Sequence, residues 1–164
     1  MKRTPLFTVL WCALAPLGCQ APADSGTAIP TGAEADAIVA EIEAIVGDIV
    51  AGANQVDADR VLSAAVRDES LSLIVGDVLL EGYDTIREDF EESYAVLQSQ
   101  EHSLIEQRIR LLGPDLALAL LTAVGTYTDM AGWTSEPVGL GVTLVLSREG
   151  GPWQLIHAHQ STID

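Results

Sequence analysis

His157 and His159 stand two residues apart in the terminal run Trp153-Gln154-Leu155-Ile156-His157-Ala158-His159-Gln160-Ser161. The run reads as a strand, whose side chains alternate between faces. Both imidazoles are therefore expected on one face, in company with Trp153, Leu155 and Ser161. Such a pair suits three roles. It can be a hydrogen-bonded structural pair, or a set of ligand donors and general acid/base groups. It can also supply two metal ligands, with His102 or an acid as the third. Arg108 and Arg110 share a face by parity with His102, Leu104 and Glu106. Arginines so placed either form cross-strand charge pairs at a solvent or dimer rim, or reach a pocket mouth and grip a carboxylate. Arg110 is the candidate ligand contact. Trp133, beside Met130 and Gly132 in a loop, either lids a pocket or packs over a sheet edge. Asp77 follows Gly76 and reads as a turn former rather than a base. The chain has no phosphate-cradling glycine loop, Ser-His-Asp order or zinc signature, so no metal and no cofactor are expected.

These side chains belong to a chain of 164 residues, enough for one domain with its own core. Hydrophobic residues make up 48% and charged residues 20%, which excludes a disordered or fibrous chain. Eight Lys+Arg oppose 24 Asp+Glu, a net charge of −16. Binding to a nucleic-acid backbone needs clustered cations, so no nucleic-acid partner is expected. Two cysteines, Cys12 and Cys19, make neither a disulfide framework nor a four-cysteine zinc site.

The first residues read as an address. Lys2 and Arg3 precede a twelve-residue apolar run, Leu6 to Leu17, too short to span a bilayer comfortably. The run ends at Leu17-Gly18-Cys19, which resembles a bacterial lipobox. The resemblance implies a signal peptide over 1–18, lipidation of Cys19 and a place in the bacterial cell envelope; plain secretion is the alternative. Lys2, the single lysine, would leave with Arg3, so six arginines would face 24 acids. Residues 19–30 are small, polar and proline-bearing, the composition of a flexible tether.

A domain over 31–164 follows. Thr31-Gly32-Ala33-Glu34 matches a capping box, and Ile38, Ile42, Ile45, Val46 and Ile49 recur at helical spacing. Asp57 can cap a short second helix. Leu71–Val75 and Val78–Leu80 flank a Gly76-Asp77 turn, and a third helix starts at Asp84 with Ile86, Phe90, Tyr94 and Leu97 on one side. Strands are expected over Ser103–Leu112, Leu116–Thr128, Val138–Ser147 and Trp153–Ile163, joined closely enough to form an antiparallel meander. The order is α+β. Eighteen of the 24 acids lie between Glu34 and Glu106, the charge of a solvated helical surface.

The strand Leu116–Thr128 has two apolar faces. Ala117, Ala119, Leu121, Ala123, Gly125 and Tyr127 form one; Leu116, Leu118, Leu120, Thr122 and Val124 form the other. Helices can cover one face, and a second copy is expected over the other, giving a homodimer through the sheet. The alanine face leaves volume unfilled, so it should line a pocket.

This order of elements, with Asp57-Ala58-Asp59 opening helix two and Gly82 before helix three, resembles the nuclear transport factor 2 superfamily, and more closely its SnoaL-like members of unknown function. The terminal run, with Tyr127 and Asp129, is similar to the calcium/calmodulin-dependent kinase association domain. The resemblance implies a cone-shaped cystatin-like fold, a curved antiparallel sheet wrapped around three N-terminal helices, with a pocket between. It implies no single activity. Two pocket arginines of the association domain fall on Ala123 and Leu144, so anion binding is expected to be lost. The base of ketosteroid isomerase falls near Leu73 or Ile74, which cannot take a proton. Dehydratases of the superfamily pair histidine with tyrosine, which makes His159 and Tyr127 the candidate catalytic set. The expected function is binding a small, largely apolar molecule through Ala123, Tyr127, Trp133, Leu144, His157, His159 and Arg110. The alternatives are an isomerase, cyclase or dehydratase, and a structural or assembly module. Membrane contact is expected only through the lipid anchor.

Overall fold

The computed structural model describes residues 28–163; the expected signal segment, Cys19 and all but the end of the expected tether lie outside the described residues. Helix α1 runs Ala33–Asn54 and turns Ile38, Ile42 and Val46 inward at four-residue spacing. The expected Thr31 capping box does not form. Gly32 is the N-cap, at φ 60, with no side-chain cap. Positive φ is cheap for glycine, and it displaces the threonine from the capping position. The short helix α2, Ala58–Val61, is capped as expected: Asp57 accepts from the Arg60 N–H at 2.9 Å. The two helices cross closely at Gly52, where a Cβ would stand 2.6 Å from the Val61 nitrogen.

Strands β1 (Ser72–Val75) and β2 (Val78–Glu81) form a hairpin, and helix α3 (Tyr83–Ala95) follows. Strands β3 (Leu97–Leu111), β4 (Leu116–Asp129), β5 (Val138–Ser147) and β6 (Gln154–Ile163) form the expected antiparallel meander. The hairpin joins it through a parallel pairing of β1 with β6, so the sheet order is β2-β1-β6-β5-β4-β3. The fold is α+β, with helices against one face of a mostly antiparallel sheet.

That inner face carries the core. Ala117, Ala119, Leu121, Leu144, Leu146 and Leu155 pack there against Ile38, Ile42, Val46 and Ile86. Each large aliphatic side chain so buried contributes about 1.5–3 kcal/mol. The outer face of β4 is only half-buried at Leu118, Leu120, Thr122 and Val124.

Of three irregularities in register, two decide which of the singled-out side chains share a face. In β3, Leu104 pairs with Ala123 and Glu106 with Thr122, which leaves Ile105 as an extra residue. In β6, His157 pairs with Val145 and Leu155 with Leu146, which leaves Ile156 over. An extra residue reverses the alternation beyond it.

Candidate functional site

A cavity of about 240 Å³ opens between the inner face and helices α1 and α3. Ile49, Val50 and Ala53 of α1 and Phe90 of α3 form one wall. Leu121, Ala123, Leu140, Val142 and Leu144 form the sheet wall. A smaller hollow of about 80 Å³ shares Leu73, Phe90, Val142, Leu144 and Gln160 and reaches toward Leu71 and Leu155. The lining is apolar except for Asp89, Ser93, Tyr94, Gln100, His102 and Gln160. Asp89, Val75 and Leu104 are exposed and mark the rim.

His102 is the side chain with the most unusual surroundings. It pairs with Gly125, and its ring lies on the glycine backbone: a Cβ there would stand 2.8 Å from Cδ2 and 3.0 Å from Nε2. A strand glycine often marks such a close approach. The backbone beneath the ring is clamped by the last residue of α1. Asn54 Oδ1 accepts from the His102 N–H at 2.6 Å, and Asn54 Nδ2 donates to the His102 carbonyl at 3.1 Å. The ring nitrogen Nδ1 is buried without a hydrogen-bond partner. Burial also pushes the His102 pKa below its ordinary value, so the ring is neutral at pH 7.

Tyr94 and Gln100 complete the polar end. Burial raises the tyrosine's pKa, and a hydrogen bond from Gln100 works against that rise. Gln100 Nε2 donates to the Ala53 carbonyl at 2.6 Å. The whole polar end is thus tied to the C-terminal turn of α1.

Of the residues singled out from sequence, Ala123 and Leu144 line the cavity. The others stand elsewhere. Because of the Ile156 bulge, His157 and His159 are on the outer face, opposite Trp153 and Leu155, and their expected company is corrected. His157 Nδ1 sits 2.8 Å from the Ser72 hydroxyl, a cross-strand bond to β1. His159 is exposed, in an open depression with Glu106, Arg108, Thr122 and Ser161. The Ile105 bulge likewise separates Arg108 and Arg110 from His102 and Leu104, which corrects their shared face. Arg108 Nε bonds Glu106 at 2.7 Å, and Arg110 pairs with Leu118 on the outer side.

Tyr127 and Trp133 also lie away from the cavity. Tyr127 is at the end of β4, 41% exposed, and its ring meets Trp133 edge-on at 5.7 Å. Asp129 folds the loop back by accepting from the Ala131 and Trp133 amides, so Trp133 packs at the strand end and does not lid the cavity. His159 and Tyr127 are therefore not brought together. Among the described residues, no three His, Cys, Asp or Glu side chains gather as a metal site.

Sequence reading missed Tyr94, Gln100 and Gln160, and it gave His102 only a metal role on the wrong face. The signal that could have found His102 is Gly125, an inward glycine amid alanines with no turn to explain it.

The family described as "Calcium/calmodulin dependent protein kinase II association domain" matches residues 39–164. No curated protein matches the chain. Among solved structures, the chain is similar to a nuclear transport factor 2-like protein from Salmonella enterica, at 16% identity and TM-score 0.72, covering 79% of this chain and 93% of that one. A Xanthomonas campestris structure described as the same kinase association domain is similar at 21% identity and TM-score 0.61, covering 84% and 94%. A hexachlorocyclohexane dehydrochlorinase from Novosphingobium barchaimii is similar at 13% identity and TM-score 0.70, covering 80% and 90%. At these identities the likeness to solved structures is one of fold.

Proposed function

This chain belongs to the calcium/calmodulin dependent protein kinase II association domain family, and from that premise we propose that its cavity takes up a small, largely apolar molecule without converting it. The observation that carries the reading is the cavity itself: about 240 Å³, walled mainly by aliphatic side chains, with only a few polar groups among them. Ligand sites are concave, mostly apolar and sparing in polar groups. The apolar side chains at Leu73 and Ile74, near one of which the resemblance to ketosteroid isomerase puts a base, support binding over proton abstraction.

A second reading rests on one feature. His102 and Tyr94 give the same cavity an acid–base pair, as an isomerase, cyclase or dehydratase would need. Native mass spectrometry of the protein purified from its own host separates the two. Retention of one unaltered small molecule, lost in Ala123→Phe, is the expected result. An empty cavity in every preparation counts against binding. Turnover of the retained molecule that stops in His102→Gln selects the enzyme.

The proposal extends to partner and address. A second copy covers the half-buried outer face of β4, where a monomer would leave Leu118, Leu120 and Val124 partly wet. The chain is exported, residues 1–18 are its signal peptide, and Cys19 carries the lipid. The same mass spectrum reads that N-terminus directly.

A further inference from the structure

We propose that the cavity is the mouth of a shaft for one unbranched alkyl chain of about ten carbons, whose cationic amine head stays at the rim beside Asp89. The inference rests on the binding reading above and names the class of molecule.

The shaft follows from the order of the lining residues along each element. From Val75 at the exposed rim the chain leads back through Leu73 to Leu71. On β6 the lining runs from Gln160 through Ala158 to Leu155, and on α3 from Ser93 through Phe90 to Ile86. In every series the rim residue lines the cavity of about 240 Å³, and the last residue lines only the hollow of about 80 Å³. Leu73, Phe90 and Gln160 line both. The two spaces are therefore stacked, the smaller below the larger. Four residues of extended chain separate Val75 from Leu71, a depth of ~13 Å.

The narrowing selects a chain over a ring. The lower hollow, at about 80 Å³, is well under the roughly 150 Å³ of an apolar cavity known to take benzene, so it admits a tail and no ring. Apart from Ser72 and Gln160 its lining is apolar, and a tail there would gain packing contacts that an empty hollow lacks. By proportion to the six carbons of benzene, the upper space of about 240 Å³ takes about ten carbons.

Charge selects the head. Among the described residues, Asp89 is the single acidic or basic side chain besides His102 that lines the cavity, and His102 is neutral at pH 7. Asp89 is exposed at the rim and enters none of the ion pairs found among the described residues. An ammonium head there meets an opposite charge; a carboxylate meets a like one and finds no cation. Exposed ion pairs are weak, so the head is worth at most about fivefold. Each buried methylene is worth about fourfold. The chain therefore sets the affinity, and the head sets the class.

Hexyl-, octyl-, decyl- and dodecylamine, titrated calorimetrically at pH 7.5 into the full chain freed of copurified small molecules, read the depth. Affinity should rise about fourfold per carbon as far as decylamine and level off at dodecylamine. Ala158→Leu fills the lower hollow alone, so it should bring the levelling down to octylamine and leave hexylamine binding unchanged. An unmoved levelling point in that variant overturns the shaft. If the variant does not fold, the wild-type series decides. Octanol and octanoate read the head: octylamine should bind up to about fivefold tighter than octanol, and octanoate weakest of the three. Asp89→Asn should bring the amine and the alcohol to parity. Affinity indifferent to chain length, or 1-adamantylamine (a compact cage of as many carbons) binding tighter than decylamine, overturns the shaft while the cavity reading stands. Octanol or octanoate matching octylamine in the wild type overturns the head. If no probe binds, the cavity reading fails and this inference fails with it.

Discussion

Burial sets the His102 imidazole against protonation, and that has a consequence for stability. Its folded pKa lies below the unfolded value, with desolvation as the cause. Above the unfolded value near 6.5 both states are neutral and the domain keeps its full stability. As pH falls, the unfolded chain takes up the proton first, so stability is lost until the folded pKa is passed. Urea unfolding from pH 7.5 down to pH 5 should show wild-type midpoints falling, and His102→Asn should flatten that fall. Identical slopes would remove His102 as the titrating group. Ala123 and Leu144 were legible as lining residues because a strand of alternating alanines exposes empty space on one side. His102 was not, because its face depends on one extra residue, Ile105, whose side chain is 70% exposed and breaks no hydrophobic pattern.

Helix α1 does two jobs at its C-terminal end: it meets α2 at Gly52 and holds β3 through Asn54. The glycines of this helix make a matched test. Gly52→Ala drives a methyl to 2.6 Å from the Val61 nitrogen, backbone that cannot move aside alone. We expect a loss of about 1–3 kcal/mol, the range for overpacking. Gly47→Ala meets nothing within 4 Å and sits exposed in the same helix. It should gain about 0.5–1 kcal/mol from helix propensity. Chemical denaturation of the two variants checks both signs; the same sign for both would discard the close crossing. Element positions were largely readable, since helical spacing in α1 and turn glycines in the hairpin are local signals. The N-cap of α1 was misread for the same reason: Thr31 matched a local motif, and only the chain's entry direction put Gly32 in its place.

For the molecule as a whole, the two faces of the sheet have different fates. The inner face is closed by helices and keeps a hollow where β4 contributes Ala123. Its outer face presents Leu118, Leu120 and Val124, flanked by Arg108, Arg110, His157 and His159. If a second copy covers that face, Leu118→Asp buries a charge at the interface and should yield a monomer at micromolar concentration. Analytical ultracentrifugation reads it. A wild type that is already monomeric ends the dimer proposal. The acids, 18 of 24 between Glu34 and Glu106, fall mostly on the helical side, so they leave the outer sheet free to approach a like copy.

Pattern alone determined the α+β order, the meander, the cap at Asp57 and the greasy, arginine-free character of the Ala123 face. Each depends on neighbours in sequence or on residue type. Tertiary structure decided which residues meet across the sheet. The parallel docking of β1 on β6 and the bulges at Ile105 and Ile156 are non-local choices, made when a strand of fixed length must follow a curved neighbour. Those choices carried two expected histidines and two arginines to the outside and turned His102 in, because one added residue reverses every side chain on one side of it.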